Sequence, residues 1–187
     1  MPANAAPARL TGAIEGFYGR PWSWTERLQL VGDLGDLGLD AYLYAPKADA
    51  HLRRRWEKPW PAAEAAALER LSARCQDAGV ALGLGLSPFR LYADYGPARR
   101  RALQARVREL DGLGATYLAV LFDDMPGDTP ELAARQAEIV TDVAAWSGAA
   151  RLLVCPTYYS DDPVLDRVFG PRPAAYREAL GAALPEG

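Results

Sequence analysis

The sequence has very few of the side chains on which nucleophilic and metal-dependent enzymes most often rely. It contains one histidine, His51, and two cysteines, Cys75 and Cys155, among 187 residues. A catalytic histidine triad or a zinc site would have to rest on His51 alone, and nothing around it indicates either, so we expect a surface loop histidine. The cysteines fit no metal-ligand spacing, and we expect both to be reduced, buried apolar residues.

The sequence also lacks an excess of charge and any long apolar run. It has 21 basic and 24 acidic residues, and the net charge of -3 gives no electrostatic reason to expect nucleic acid or an anionic membrane as a partner. The one basic cluster, Arg53 to Arg55, is predicted to be a solvated loop or helix face. No apolar stretch reaches the length of a membrane span, and residues 1–10 lack the apolar core of a signal peptide. We therefore expect a soluble, cytoplasmic chain with a disordered tail over residues 1–10.

What the sequence does contain is a regular alternation of strand-like and helix-like segments. Strands are predicted at 12–19, 41–47, 80–88, 116–123 and 151–157. The first helix is predicted to begin at the capping box formed by Ser23 and Glu26, with Leu28, Val31, Leu34 and Leu37 as its apolar stripe. Later helices are predicted to run from Pro61 to Gly79, from Pro97, from the cap Thr129 and Pro130, and from Pro173 to Leu180.

Five repeats of a strand and a helix predict an α/β fold with a parallel sheet covered by helices. Both an open doubly wound sheet and a (β/α)8 barrel satisfy this pattern. The glycine-rich phosphate motif of nucleotide-binding folds is missing, since Gly83 and Gly85 lie within a strand. In every parallel α/β fold, ligands bind at the carboxyl ends of the strands. These ends read EGFYGRPW, YAPKAD, SPF, FDDM and CPTYY, which are rich in polar and aromatic groups.

This set of strand ends resembles the β-N-acetylglucosaminidase domain of glycoside hydrolase family 84, the family of the protein O-GlcNAcases. The matching blocks lie at 15–22, 42–49, 86–88, 121–124 and 155–159, in the family's order. The resemblance implies a (β/α)8 TIM barrel, with residues 11–187 as the N-terminal part of that domain. It also implies removal of terminal β-linked N-acetylglucosamine from a glycan or glycoprotein, with no cofactor and no metal.

The resemblance further implies a retaining mechanism in which the substrate's acetamido oxygen is the nucleophile and forms an oxazoline. Asp123 would orient the acetamido group, and Asp124 would be the general acid and base. Two adjacent aspartates would face opposite ways on an ideal strand, so we expect the alternation to lapse where the chain turns towards Pro126 and Gly127. Further contacts to the sugar are implied for Gly16, Tyr18, Lys47 and Tyr159.

Some features of the sequence depart from the family pattern. A family barrel has about 250 residues, and the five units here stop where a sixth strand would begin. Pro126 stands where the family has an acid, and Tyr158 where a glutamate is common.

Three interpretations therefore stay open. One is a catalytic domain, complete only in a longer product or with a second chain or copy. Another is a non-catalytic remnant that binds N-acetylglucosamine, and the third is a chitinase-like barrel, which would usually carry Asp-x-Glu.

Overall fold

Strands and helices alternate along the chain as the apolar pattern predicts. In the computed structural model, which describes residues 9–185, five strands form one sheet. The strands are β1 (Gly12–Glu15), β2 (Ala41–Tyr44), β3 (Ala81–Leu86), β4 (Tyr117–Leu121) and β5 (Arg151–Cys155). The helices are α1 (Trp24–Asp36), α2 (Ala62–Ala78), α3 (Pro97–Gly112), α4 (Leu132–Trp146), α5 (Val164–Phe169) and α6 (Tyr176–Ala183), and a 3-10 turn at Leu91–Ala93 precedes α3.

The order of the strands distinguishes between the two candidate architectures. All the strand pairs are parallel, and the spatial order β1-β2-β3-β4-β5 follows the sequence without reversal. A doubly wound sheet reverses its strand order at a switch point, whereas a βα barrel adds each strand beside the previous one. The α/β class is confirmed and the barrel-type order is present. Within residues 9–185, β1 and β5 do not pair with each other, so these five strands leave the sheet open.

The two faces of the sheet have different coverings. Leu82, Leu84, Leu118 and Val120 belong to the large core that α1 to α4 cover. On the other face Leu43, Ala45 and Ala119 form a separate small cluster. This face is only partly covered, since Ile14 of β1 is 68% exposed. We call it the inner face, because it would line the interior of a closed barrel.

The glycines of β3 are needed for close packing on the inner face. A Cβ at Gly83 would lie 2.3 Å from the Tyr117 ring, and one at Gly85 would lie 2.5 Å from Cβ of Ala45. The prediction that Gly83 and Gly85 lie within a strand is confirmed.

The start of α1 is as predicted, while its end is not. The Ser23 hydroxyl accepts the Glu26 N–H at 3.2 Å, and the Glu26 carboxylate accepts the Ser23 N–H at 2.6 Å. Val31 and Leu34 are buried as expected, but the placement of Leu37 in the apolar stripe was wrong. Leu37 is the C-cap and is 74% exposed, because the helix ends before its next inward-facing position.

Two later helices also differ from the prediction. α4 begins at Leu132, with Glu131 in the left-handed region at φ 54°, so Thr129 is not its cap. The last predicted helix begins at Tyr176 rather than Pro173. α5 was not predicted at all. Asp162 accepts the Val164 N–H at 2.8 Å, and this Asp-Pro start was the signal that could have revealed it.

Other predictions have mixed outcomes. Cys75 is buried, and burial raises the pKa of its thiol to about 12. Cys155 is only half-buried, and neither cysteine forms a disulfide.

Among the described residues, no helix is long and apolar enough to cross a membrane. Most of the tail predicted at residues 1–10 lies outside the described residues, and the domain boundary at residue 11 stays a prediction.

Candidate functional site

The two adjacent aspartates lie just beyond the carboxyl end of β4. Asp123 follows the buried Phe122, whose N–H donates to the Cys155 carbonyl at 2.8 Å. Asp124 has φ 56°, in the left-handed region that residues other than glycine rarely adopt. This turn ends the alternation of a strand, and both carboxylates contact the same ammonium group. The structure therefore brings the two predicted acids together as expected.

That ammonium group belongs to Lys47, which follows β2. Its Nζ donates to Oδ2 of Asp123 and lies 3.2 Å from Oδ2 of Asp124. Only 4% of the Lys47 side chain is exposed. Burial disfavours the ammonium form, but the hydrogen bond and charge of Asp123 and the charge of Asp124 outweigh it, so the net pKa of Lys47 is raised. Lys47 therefore stays protonated and binds the two carboxylates together.

One oxygen of the aspartate pair has no protein partner. Oδ1 of Asp123 is buried and receives no hydrogen bond within residues 9–185. A buried acceptor without a donor is unfavourable, and such groups are uncommon in folded proteins. The other oxygen of the same carboxylate is occupied by Lys47. Asp123 therefore has an acceptor atom that no described residue uses.

Two exposed tyrosines stand beside the aspartates. The Tyr18 ring centroid lies 6.0 Å from Nζ of Lys47, and the Tyr18 pKa is raised by partial burial and by Asp124, against an opposing effect of Arg53. The Tyr159 pKa is raised by partial burial and by the charges of Asp124 and Asp123. Tyr18 is 62% exposed and Tyr159 is 47% exposed, which leaves their rings accessible to a ligand.

Gly16, the last of the predicted residues, connects β1 to Tyr18. A Cβ at Gly16 would meet only Cγ2 of Ile14, at 3.3 Å. Packing among the described residues therefore does not explain a glycine here. Its proposed role depends on the close approach of a ligand to the backbone.

The sequence interpretation missed Arg53. The prediction that Arg53 to Arg55 form a solvated face holds for Arg54 and Arg55 and was wrong for Arg53, which is 7% exposed. Its Nη2 donates to the Asp124 carbonyl at 2.8 Å. A run of three arginines gives no sign of which one is buried. The arginine lies six residues after Lys47, and that proximity was the only signal in the sequence.

The loop after Asp124 is fixed by groups from several elements. The Tyr92 hydroxyl donates to the Pro126 carbonyl, and the Gly127 N–H donates to the Phe169 carbonyl at 2.7 Å. Tyr158 packs under Gly127, and its hydroxyl donates to the Gly170 carbonyl at 2.8 Å. Tyr158, noted in the sequence as a departure from the common glutamate, is thus buried and supports this loop.

The end of β1 is held by a buried ionic network. Glu15 is fully buried and accepts two bonds of 2.8 Å from the Arg27 guanidinium and one of 2.6 Å from the Tyr42 hydroxyl. The Trp22 N–H donates to the same carboxylate at 3.2 Å. A buried carboxylate with this many donors is well satisfied. The network fixes the strand end from which Gly16 and Tyr18 extend.

Nucleophilic and metal chemistry have little support in the groups around the aspartates. Burial and the charge of Asp123 raise the pKa of the Cys155 thiol, at the end of β5, to about 11, so the reactive thiolate is scarce at neutral pH. Within residues 9–185, no three His, Cys, Asp or Glu side chains are grouped to hold a metal ion. The two carboxylates can instead accept hydrogen bonds and transfer protons, and the ammonium can donate hydrogen bonds.

Comparisons with known proteins show which proteins this chain is similar to. Protein O-GlcNAcase of Rattus norvegicus and that of Mus musculus are each 29% identical to this chain over 166 residues, which is 84% of this chain and 18% of theirs. The chain therefore spans less than a fifth of the length of these curated relatives. A solved O-GlcNAc hydrolase of Thermobaculum terrenum, an aspartate-to-asparagine mutant, is 27% identical. It superimposes with a TM-score of 0.81 over 95% of this chain and 39% of its own.

The comparison with family models covers nearly the whole sequence. The model described as beta-N-acetylglucosaminidase matches residues 11–187. This match includes all five strands and the residues around Lys47 and the two aspartates. The resemblance found in the strand ends is thereby confirmed, and the chain belongs to the β-N-acetylglucosaminidase family.

Proposed function

We propose that this chain carries the catalytic half-site of a retaining β-N-acetylglucosaminidase. The observation that supports it most is the shared contact of Asp123 and Asp124 with one buried ammonium group, at the carboxyl end of a parallel sheet. The ammonium leaves Oδ1 of Asp123 free to accept a hydrogen bond. One carboxylate can thus hold a substrate amide while its neighbour exchanges a proton with the glycosidic oxygen.

The proposed reaction has two steps. In the first, the carboxyl proton of Asp124 moves to the glycosidic oxygen, the bond from that oxygen to C1 breaks, and the substrate's acetamido oxygen bonds to C1. Asp123 accepts the acetamido N–H throughout and orients the amide. In the second, Asp124 removes a proton from water as the water attacks C1 and the oxazoline opens. Two inversions at C1 give retention of configuration.

The remaining residues of the site would bind the sugar. Lys47 uses two of its three ammonium protons on the aspartates, and the third can donate to a sugar hydroxyl. Tyr18 and Tyr159 offer exposed rings and hydroxyls beside the acids. Gly16 has no side chain, so the sugar can approach the backbone closely at this position. The substrate would be a terminal N-acetylglucosamine on a glycan or glycoprotein.

We further propose that the site works in a closed barrel. The inner face exposes Ile14, and β1 and β5 each lack a second neighbour within residues 9–185. The chain covers 39% of the solved relative. Additional strands, from a longer polypeptide, a second copy or another chain, would cover the inner face and complete the sugar pocket.

The test is hydrolysis of β-N-acetylglucosaminides by the purified chain. An aryl glycoside with an activated leaving group and an alkyl glycoside with a poor one are compared for the parent chain and for Asp124→Asn. We expect Asp124→Asn to lower kcat/KM by about 10²- to 10⁴-fold on the alkyl glycoside, because a poor leaving group needs the proton most. The loss on the activated aryl glycoside should be smaller.

Asp128→Asn is the matched control. Asp128 is an exposed acid in the same loop, four positions after Asp124, and it should keep the parent's rates on both substrates. Equal losses in the two variants would contradict the assignment of the acid. A folded parent chain that binds N-acetylglucosamine without turnover would exclude hydrolysis by this chain alone and favour a binding remnant.

A further inference from the structure

We infer that Arg53 is a positioning residue that sets the left-handed turn at Asp124 and so aims the catalytic carboxylate. The inference rests on the proposed function for its effect on rate, but its structural part can be tested without any substrate. It starts from an unusual feature of the aspartate pair. Asp124 adopts φ 56°, and a backbone conformation of this kind in a residue other than glycine persists only when its surroundings enforce it.

The Asp124 carboxylate does little to enforce this conformation. It contacts Nζ of Lys47 at 3.2 Å and the hydroxyl of Tyr18, but Lys47 is more tightly bound to Asp123 and Tyr18 is exposed. The backbone has a stronger restraint. The Asp124 carbonyl accepts a hydrogen bond of 2.8 Å from Nη2 of Arg53, and a bond from a charged donor is stronger than one from a neutral group.

Arg53 is itself held rigidly, so it can act as a fixed donor. Its guanidinium carbon lies 5.0 Å from the centroid of the Phe89 ring. The neighbouring carbonyl of Leu52 accepts the Ser87 N–H at 2.8 Å, which fastens the loop after β2 to the end of β3. Arg53 thus links the ends of β2 and β3 to the turn after β4.

The arginine carries more charge and more donors than the fold requires. Its Nη1 is buried and makes no hydrogen bond within residues 9–185. Burying a cation with an unused donor is costly, and an apolar side chain would fill this space at lower cost. A cation also fits the charge balance of the site, where Lys47 and Arg53 face the two aspartates. These observations favour a role in the site over a role in packing.

The experiment compares Arg53→Met with Arg54→Met by NMR of the isotopically labelled chain. Arg54 is the matched control because it is exposed and lies 5.1 Å from the same Phe89 ring without any hydrogen bond among the described contacts. The Asp124 HN–Hα coupling and its ¹³Cα shift report φ. We expect both to leave the left-handed range in Arg53→Met and to stay unchanged in Arg54→Met. If Arg53→Met does not fold, Arg53→Lys is measured in its place, since it keeps the charge but loses the planar fork.

The same variants are then assayed on the alkyl and aryl glycosides. For Arg53→Met we expect kcat to fall about 10- to 100-fold, with KM within about twofold of the parent's. A wrongly oriented Asp124 carboxyl group slows the chemical step rather than substrate binding. The loss should be larger on the alkyl glycoside. A packing role alone would lower the melting temperature without this dependence on the leaving group.

Each outcome decides one of the two claims. If Asp124 keeps its left-handed φ in Arg53→Met or its substitute, the positioning role is overturned, whatever the rates are. If φ changes but the parent chain has no hydrolase activity, hydrolysis by this chain alone is excluded while the role of Arg53 in setting the turn is supported. A change in φ with unaltered kcat would overturn the claim that the turn aims the acid.

Discussion

At the scale of single residues, the site depends on backbone geometry as much as on side-chain type. Asp123 and Asp124 were singled out in the sequence because two acids directly after an apolar strand are unusual, and their roles were implied by the family resemblance of the strand ends. The sequence could not reveal the means by which both carboxylates contact the Lys47 ammonium group. That means is the left-handed φ of Asp124, together with the bond from Arg53 to its carbonyl. Both depend on contacts between residues 71 positions apart.

Gly127 offers a test of how tightly the loop after the aspartates is packed. A Cβ at this position would lie 2.0 Å from the Tyr158 hydroxyl oxygen, and both residues are buried. We expect Gly127→Ala to lower the free energy of unfolding by about 1–3 kcal/mol through overpacking. Urea denaturation followed by circular dichroism measures the change.

The control for this substitution is Gly181→Ala. Gly181 lies in α6 and is exposed, and within residues 9–185 a Cβ added there would meet no atom within 4 Å beyond its chain neighbours and its own helix backbone, so alanine should raise stability by about 0.5–1 kcal/mol. A Gly127→Ala chain as stable as the parent would show that Tyr158 can move, and that its packing does not fix the loop after the aspartates.

At the scale of elements, the sequence predicted what depends on local patterns and missed what depends on distant partners. The capping box of α1 and the glycine that ends α2 are local, and both are present. The start of α4 was misplaced because Thr129 and Pro130 look like a cap, while the loop is instead fixed by Tyr92 and by Phe169 at the end of α5. Those partners lie too far along the chain for a spacing rule to find.

The junction of α3 and α4 should respond to acid. Asp142 of α4 is hydrogen-bonded by Arg100 and by the Tyr95 hydroxyl, and the Arg100 bond is the main reason that its pKa lies below the ordinary 3.8. A lowered pKa in the folded state adds stability above about pH 4, and that stability is lost as the pH falls further. We expect Asp142→Asn to cost about 1 kcal/mol at pH 7, since Arg100 is half-exposed.

The measurement is the melting temperature of the parent and of Asp142→Asn between pH 7 and pH 2. The gap between them should be widest at neutral pH and should narrow below about pH 4. Asp33→Asn is the control, because Asp33 is exposed on α1 and its carboxylate has no bonded partner among the described contacts. A gap that stays constant down to pH 2 would contradict the role of this carboxylate.

At the scale of the whole molecule, the open sheet is the feature with most consequence. Its inner face is apolar and Ile14 is 68% exposed there, on a strand with a free edge in the described part of the chain. Exposed edges with apolar side chains promote pairing between chains. We therefore expect the purified chain to self-associate, with a light-scattering mass that rises above 20.3 kDa as its concentration rises.

Ile14→Lys should reduce this association, because a charge on an edge strand opposes pairing. Leu37→Lys is a matched control, since Leu37 is 74% exposed and lies at the end of α1, away from the sheet edge. We expect it to associate as the parent chain does. A parent chain that stays at 20.3 kDa at every concentration would show that the inner face and the edges are tolerated in water.

The strictly sequential strand order also bears on how the protein is made. Each strand pairs with its neighbours along the sequence, so the sheet can grow from β1 towards β5 while the ribosome is still adding residues. Lys47 emerges 76 residues before Asp123, an interval of about 4 to 15 seconds at ordinary rates of synthesis. Throughout that interval its ammonium has neither aspartate to bind. A nascent chain can therefore contain paired strands and helices well before it contains the two aspartates that Lys47 contacts.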